Sequence, residues 1–395
     1  MTHSTITPRL ARFALDDYAL PSSLTDKVMS PALVMYEQRV QNNIEHMLNL
    51  MDGEPNRWRP HLKTTKTPEV YALLLKAGLR QFKCATVREA RCLLSTAKSL
   101  HLDDIDLLIA YPIQGPSLAH LAQLAKEFSE AKISVLTEDP QHALQVPDVL
   151  SLFVDVNPGM NRTGLRLSEP SRVNAVLSAA GTRLRGMHYY DGHVHAATAQ
   201  ERRKMVHALH ADLVAFEASL ASDGLALGEL VTSGTPAFQY ALDFEGFSGG
   251  MTRTGAVHRV SPGTVVFHDF QSDELLEDLT LEPAAILLTR VVSHPTEQVI
   301  TSDAGSKSIA AEAGDPCAFA IGYPELTALR PSEEHLPWAV APGQTQPALG
   351  ELLYLVPRHI CPSVNLAEQA LWIDSNGKAR IVDVVARGHE LMLTS

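Results

Sequence analysis

Cysteine is scarce in this chain of 395 residues, which holds four: Cys84, Cys92, Cys317 and Cys361. They are too few and too scattered for a disulfide framework, so a reducing compartment is expected. Apolar runs are short, and none approaches the roughly 18 residues of a membrane span. The start of the chain lacks a basic region followed by an apolar stretch, so no signal peptide is expected and the expected location is cytoplasmic. Positive charge is in deficit. Thirty-three Lys and Arg against 45 Asp and Glu leave a formal charge of −12, which argues against nucleic acid as a partner while leaving room for a local anion site. There is no internal repeat and no low-complexity segment.

The remaining composition, 45% hydrophobic and 20% charged, is ordinary for a globular enzyme. The length predicts one large domain plus a second. Short apolar runs at Ala32–Tyr36, Arg57–Lys63, Gln81–Ala85, Ile105–Ala110, Lys132–Leu136, Leu152–Val156, Leu184–Tyr190 and Leu230–Ser233 read as eight strands. Segments with apolar residues three or four apart separate them, for example Arg39–Met51, Val87–Ala97 and Ala199–Leu220. Eight strands alternating with helices predict an α/β fold, a (β/α)8 TIM-type barrel over residues 31–260. No Gly-x-Gly-x-x-Gly turn follows the first strand, which disfavours an open dinucleotide-binding sheet. After Val260 the texture changes to short β-branched runs broken by turn pairs such as Asn376-Gly377. Residues 261–395 therefore read as a mostly β domain, which residues 1–30 are expected to join.

The most informative stretch is Arg57-Trp58-Arg59-Pro60-His61-Leu62-Lys63-Thr64-Thr65-Lys66. As a strand it places Arg59, His61, Lys63 and Thr65 on one face. On these residues alone two readings stand: a solvated basic edge strand, or a strand end opening into an anion site where neighbouring cations make a lysine nucleophilic.

The order of further fragments is informative. Asn161-Arg162-Thr163-Gly164, Tyr190-x-Gly192-His193, Ser233-Gly234-Thr235-Pro236, Pro262-Gly263-Thr264, Asp303-Ala304-Gly305, Glu334-His335 and His359-x-Cys361 follow Arg59-Pro60-His61-x-Lys63-Thr64. In this order the chain resembles the D-threonine aldolase and D-serine dehydratase family, alanine-racemase-type (fold type III) enzymes of pyridoxal phosphate. The resemblance spans roughly residues 25 to 390. It implies that Lys63 holds pyridoxal 5'-phosphate as a Schiff base and then acts as a base at the substrate's α-carbon, with Lys66 a weaker alternative. It also implies cofactor contacts from Arg59, His61, Arg162 (at the phenolic oxygen) and Tyr190. Small residues with free backbone N–H groups suit a phosphate; Ser233, Gly234 and Thr235 are the first candidates, Gly263 and Thr264 the second. His193 is the candidate base for a substrate hydroxyl, directly or through metal-bound water, with Asp191 and His195 beside it or merely part of a solvated loop.

His359 and Cys361, two apart on a segment read as extended, would share a side and chelate one divalent ion. The thiolate favours zinc over manganese or magnesium. The sequence departs from relatives at Val265, where a tyrosine is frequent, at Asp191, and at Thr65, where many aldolases carry histidine. Cys361 leans toward dehydratases, whereas Pro362-Ser363-Val364-Asn365-Leu366 leans toward aldolases. The expectation is a pyridoxal-phosphate and metal-dependent lyase splitting a D-β-hydroxy amino acid to glycine and an aldehyde, ahead of a D-serine or D-3-hydroxyaspartate dehydratase. Racemase, non-catalytic cofactor carrier and cofactor-free zinc hydrolase rank lower. The expected partners are the small-molecule substrate and a second copy of the chain in a homodimer.

Overall fold

The computed structural model describes residues 10–194, 198–277 and 280–393. The chain divides into two compact units. One holds the chain up to Ile44, Thr64–Thr67 and Thr264–Arg387; the other holds Glu45–Lys63, Pro68–Gly263 and the C-terminal residues from Gly388. No helix among the described residues is long and apolar enough to cross a membrane.

Strand β1, Ala32–Tyr36, is not in the barrel as expected. It lies in the other unit, antiparallel to one strand (Ala32 opposite Leu288) and parallel to another (Leu33 opposite Ala370). The run Ala-Leu-Val-Met-Tyr is buried on both faces in the middle, and such a run fits the centre of either sheet, so periodicity cannot assign it.

The barrel unit contains seven parallel strands paired in chain order: β2 (Gln81–Cys84), β3 (Asp106–Ile109), β4 (Lys132–Thr137), β5 (Ser151–Val156), β6 (Leu184–Tyr189), β7 (Glu229–Thr232) and β8 (Val257–Val260). Residues 58–61 close the ring. Trp58 bridges to Val260 and His61 to Lys83, both in parallel. The N–H of Arg59 donates to the Val260 carbonyl at 2.9 Å, and that of Leu62 to the Lys83 carbonyl at 2.7 Å. Strand β8, absent from the sequence reading, reads Val-His-Arg-Val, with polar groups that the barrel interior satisfies in pairs. Between the strands, helices begin on capping residues: Thr86 accepts from the Glu89 N–H, Asp139 from His142, and Thr198 forms a capping box with Glu201.

The other unit is a nine-stranded, mostly antiparallel sheet. It comprises β1, β9 (Ala285–Thr296), β10 (Val299–Ser302), β11 (Ala318–Ala320), β12 (Leu326–Ala328), β13 (Leu336–Val340), β14 (Leu352–Pro357), β15 (Gln369–Ile373) and β16 (Ala379–Asp383). The long β9 is the hub, pairing with β1, β10 and β14. Leu10, Phe13, Tyr18 and Leu20 pack with Ile286, Leu288 and Val356 in one core of this unit, and Trp338 anchors a second.

Arg59, expected at the cofactor, points elsewhere. Its guanidinium is fully buried, bidentate to Glu229 at 2.8 and 2.9 Å and bonded to Asp106 at 3.1 Å. Asp106 and Glu229 open β3 and β7, so this cluster sits at the N-terminal end of the barrel, away from the mouth where barrel chemistry occurs. Arg185 and Arg259 complete it through Asp106 and Glu229. Burial works to raise the Asp106 pKa, but the two guanidiniums of Arg59 and Arg185 outweigh it and hold the carboxyl well below the usual range. Arg59→Met is expected to lower stability by about 3 kcal/mol, since removing one partner strands buried charge while Arg185 and Arg259 remain. Urea unfolding at pH 7 measures it. Because the Asp106 pKa is depressed on folding, its contribution is present above about pH 4 and fades as the pH falls below that. The deficit of the variant therefore shrinks in acid.

Candidate active site

The C-terminal side of the barrel unit holds Lys63, Arg162, Tyr190, His193, Ser233, Gly234, Thr235 and Gly263 among the candidates. Lys63 stands exposed just beyond the closing segment, with its N–H 3.3 Å from His61 Nδ1. Gly263 fixes that segment from below: a Cβ there would lie 2.3 Å from the His61 carbonyl oxygen. The Trp58 indole adds a second tie, donating to the Pro262 carbonyl at 2.9 Å. Lys66, the alternative lysine, is buried in the other unit, and its Nζ donates to the Ala386 carbonyl at 3.3 Å.

The loop after β7 has a geometry suited to an anion. Ser233 takes a left-handed φ of 43°, a conformation that costs a non-glycine residue energy and needs support. Its hydroxyl supplies that support by donating to Asp191 Oδ2 at 2.6 Å, with His210 Nε2 3.2 Å from the same oxygen. All three side chains are fully buried. The Ser233 hydroxyl is thus engaged internally, whereas the backbone N–H groups of Gly234, Thr235 and Gly263 have no acceptor among the described residues. Unpaired buried N–H groups are rare in native proteins, and three at the mouth of a barrel suit the oxygens of a phosphate. The residues present therefore fit the phosphate of pyridoxal phosphate.

Tyr190 is clamped between loops: a Cβ at Gly192 or Gly234 would come within 2.4 or 2.8 Å of its ring. The Arg162 guanidinium lies 4.9 Å from that ring's centroid and forms no ion pair among the described residues. His193 rests against Gly159, and its buried Nδ1 has no hydrogen-bond partner among the described residues. His195 lies outside the described residues.

Four groups at the mouth escaped the sequence reading. Lys83 Nζ is 2.6 Å from Ser261 Oγ and 3.4 Å from His188 Nε2, and His188 Nδ1 is 2.7 Å from Asp155 Oδ1. Burial and the nearby Lys63 charge bring the Lys83 pKa down to about 7, while Asp155 opposes them. Burial likewise lowers the His188 pKa, with Lys83 adding to the effect. A partial signal existed: Lys83, Asp155 and His188 are polar residues buried in strands, which rarely serves packing, while Ser261 directly follows β8.

His359 and Cys361 lie in the β unit, but not on an extended segment as expected. His359 occupies the N-cap position of the helix Ile360–Leu366 without a side-chain cap bond, and Cys361 is the second residue of that helix. Pro362, tolerated in a first helical turn, and the Ile360 N–H bonded to Asp269 at 3.0 Å favour the turn over a strand. Thr264, a phosphate candidate, falls in this unit too; its hydroxyl is 3.4 Å from Cys361 Sγ, and that of Thr64 is 3.1 Å away. No group of three or more His, Cys, Asp or Glu able to hold a metal occurs among the described residues. Imidazole and thiolate donors suit a zinc-type ion with its other positions open.

A closed parallel barrel with a lysine just beyond its closing segment, and a β unit built around a later sheet, defines the alanine-racemase-type class. Residues 36–258 match the family model "Alanine racemase, N-terminal domain", and residues 284–373 match "Putative serine dehydratase domain". D-threonine aldolase of Arthrobacter sp is 29% identical over 95% of this chain and 97% of its own length. The 3-hydroxy-D-aspartate aldolase of Paracoccus denitrificans (strain Pd 1222) is 26% identical over 94% and 95%. The solved D-threonine aldolase from Filomicrobium marinum superposes with a TM-score of 0.79 at 25% identity, covering 92% of this chain and 96% of that one. The chain belongs to the alanine racemase N-terminal domain family, within its group of pyridoxal-phosphate-dependent lyases related to D-threonine aldolase and D-serine dehydratase.

Gly263→Ala would force the turn and the Lys63 segment apart. We expect a stability loss of about 1–3 kcal/mol and at least tenfold weaker pyridoxal phosphate binding, read by equilibrium dialysis against the parent protein.

Proposed function

We propose that the protein cleaves a D-β-hydroxy amino acid between Cα and Cβ, giving glycine and an aldehyde, with pyridoxal phosphate and a divalent metal. The observation that carries this reading is the set of N–H groups at Gly234, Thr235 and Gly263, unpaired among the described residues, in the same barrel mouth as the exposed Lys63. The aldolase names of the two relatives support the choice of reaction. Bound pyridoxal phosphate supplies the electron sink for charge developing at Cα.

The chain's own residues divide the other tasks. The N–H cradle binds the phosphate dianion, and Lys63 anchors the cofactor and carries the proton at Cα. Arg162, stacked on Tyr190 without a carboxylate partner, offers a fixed cation to the phenolic oxygen. His193, with a ring nitrogen unpartnered among the described residues, takes the proton of the substrate's β-hydroxyl. His359 and Cys361 would hold the metal, with zinc favoured, and it would supply Lewis acidity.

Dehydration to a keto acid and ammonia is the second reading, favoured by the Cys361 thiol and by the dehydratase model covering it. The two reactions differ in which proton leaves: the hydroxyl proton for cleavage, the Cα proton for dehydration.

Incubation with D-threonine, D-serine and D-3-hydroxyaspartate separates them. Aldehyde plus glycine is expected; keto acid plus ammonia from every substrate would establish dehydration, and no product from any would overturn both. Chelation followed by dialysis is expected to reduce turnover at least 100-fold, with recovery on adding zinc or manganese. Turnover unaffected by complete metal removal would eliminate the role of His359 and Cys361.

A further inference from the structure

Lys83 is a buried amine with no carboxylate partner among the described residues. Its hydrogen-bond inventory is unusual. The Ser261 hydroxyl donates to the Thr232 carbonyl at 3.0 Å, so its oxygen accepts from Lys83. Asp155 holds the proton of neutral His188 on Nδ1, which leaves Nε2 as a second acceptor for Lys83. The surroundings thus accept two N–H bonds, the number a neutral amine possesses, and leave its lone pair unused. An ammonium would carry a third N–H whose nearest aromatic face is Tyr190, with the ring centroid 5.7 Å from Nζ.

We propose that Lys83 is a catalytic residue, the proton acceptor for the ammonium group of the incoming amino acid. The inference rests on the pyridoxal-phosphate reading above. An amino acid arrives protonated on nitrogen and must lose that proton before its amine can attack a carbonyl carbon. The proton passes from the substrate ammonium to Lys83 Nζ, giving a neutral substrate amine and a Lys83 ammonium. It returns when the product leaves as an ammonium. The charge on Lys83 is tolerated transiently because Asp155 and Asp191 oppose the cations Lys63 and Arg162 around it, with His188 and Tyr190 completing the surroundings. A transfer partner should have a pKa near the working pH, and burial brings that of Lys83 to about 7.

Two measurements test it. In protein labelled with 15N-lysine, NMR from pH 5 to 10 is expected to show one ε-amine with a midpoint near 7, absent in Lys83→Gln. Glutamine retains two N–H donors for Ser261 and His188 but has no basic nitrogen, so the fold is expected to survive. In stopped-flow mixing of the holoenzyme with D-threonine, the rate of the first spectral change should rise with pH through the same midpoint. In Lys83→Gln the pH 7 rate should fall about 100-fold and the limb should vanish. If every lysine titrates above pH 9, or if the folded variant keeps the parent's rate and pH profile, the proposal is overturned. The NMR titration needs no cofactor, so with the variant it decides the state of Lys83 even if pyridoxal phosphate fails to bind, an outcome that would instead remove the function proposed above.

Discussion

The hydrogen bonding of residues 58–62 between β8 and β2 is the constraint on which the barrel unit depends. Seven strands alone leave two open edges, and unpaired edges are unstable. The closing segment supplies the eighth side of the ring, donating to Val260 on one flank and Lys83 on the other. Everything useful at the mouth follows from its placement. Lys63 emerges beyond its end, Lys83 sits on the strand it joins, and Gly263 presses on the His61 carbonyl. A shift of this segment would misplace Lys63, Lys83 and the turn at Gly263 together.

Charge is distributed unequally along the barrel axis. At the N-terminal end Arg59, Arg185 and Arg259 are matched against Asp106 and Glu229 at hydrogen-bond distances. That cluster stabilises by pairing and leaves no cation available. At the mouth, among the described residues, Arg162 and Lys83 lack carboxylate partners and three backbone N–H groups lack acceptors. Unsatisfied groups cost stability, and their concentration where barrels carry out chemistry marks the region where a ligand completes the bonding. Arg59 and Lys63, four residues apart on one segment, thus have opposite roles.

Much of this was legible in the sequence. The alternation of strands and helices and the later β domain could be read from periodicity. Strand β1 was misplaced because an apolar run buried on both faces carries no label for its sheet. Strand β8 was missed because its His and Arg look unlike a core strand until Glu229 and Thr232 are seen to pair with them. Arg59 was misread since alternation tells which face a residue occupies but not its depth along the axis. His359-x-Cys361 was read as extended, whereas Pro362 and Asp269 together begin a helix there. Lys83 escaped because its meaning depends on His188 and Asp155, which are far away in sequence.

The central claim is that Lys63, not its buried neighbours, carries the cofactor. Borohydride reduction of the protein loaded with pyridoxal phosphate, followed by peptide mapping, tests it directly. The account predicts a single stable pyridoxyl mark on Lys63, with Lys66 and Lys83 unmodified. A mark on Lys83 or Lys66 in place of Lys63 would contradict it.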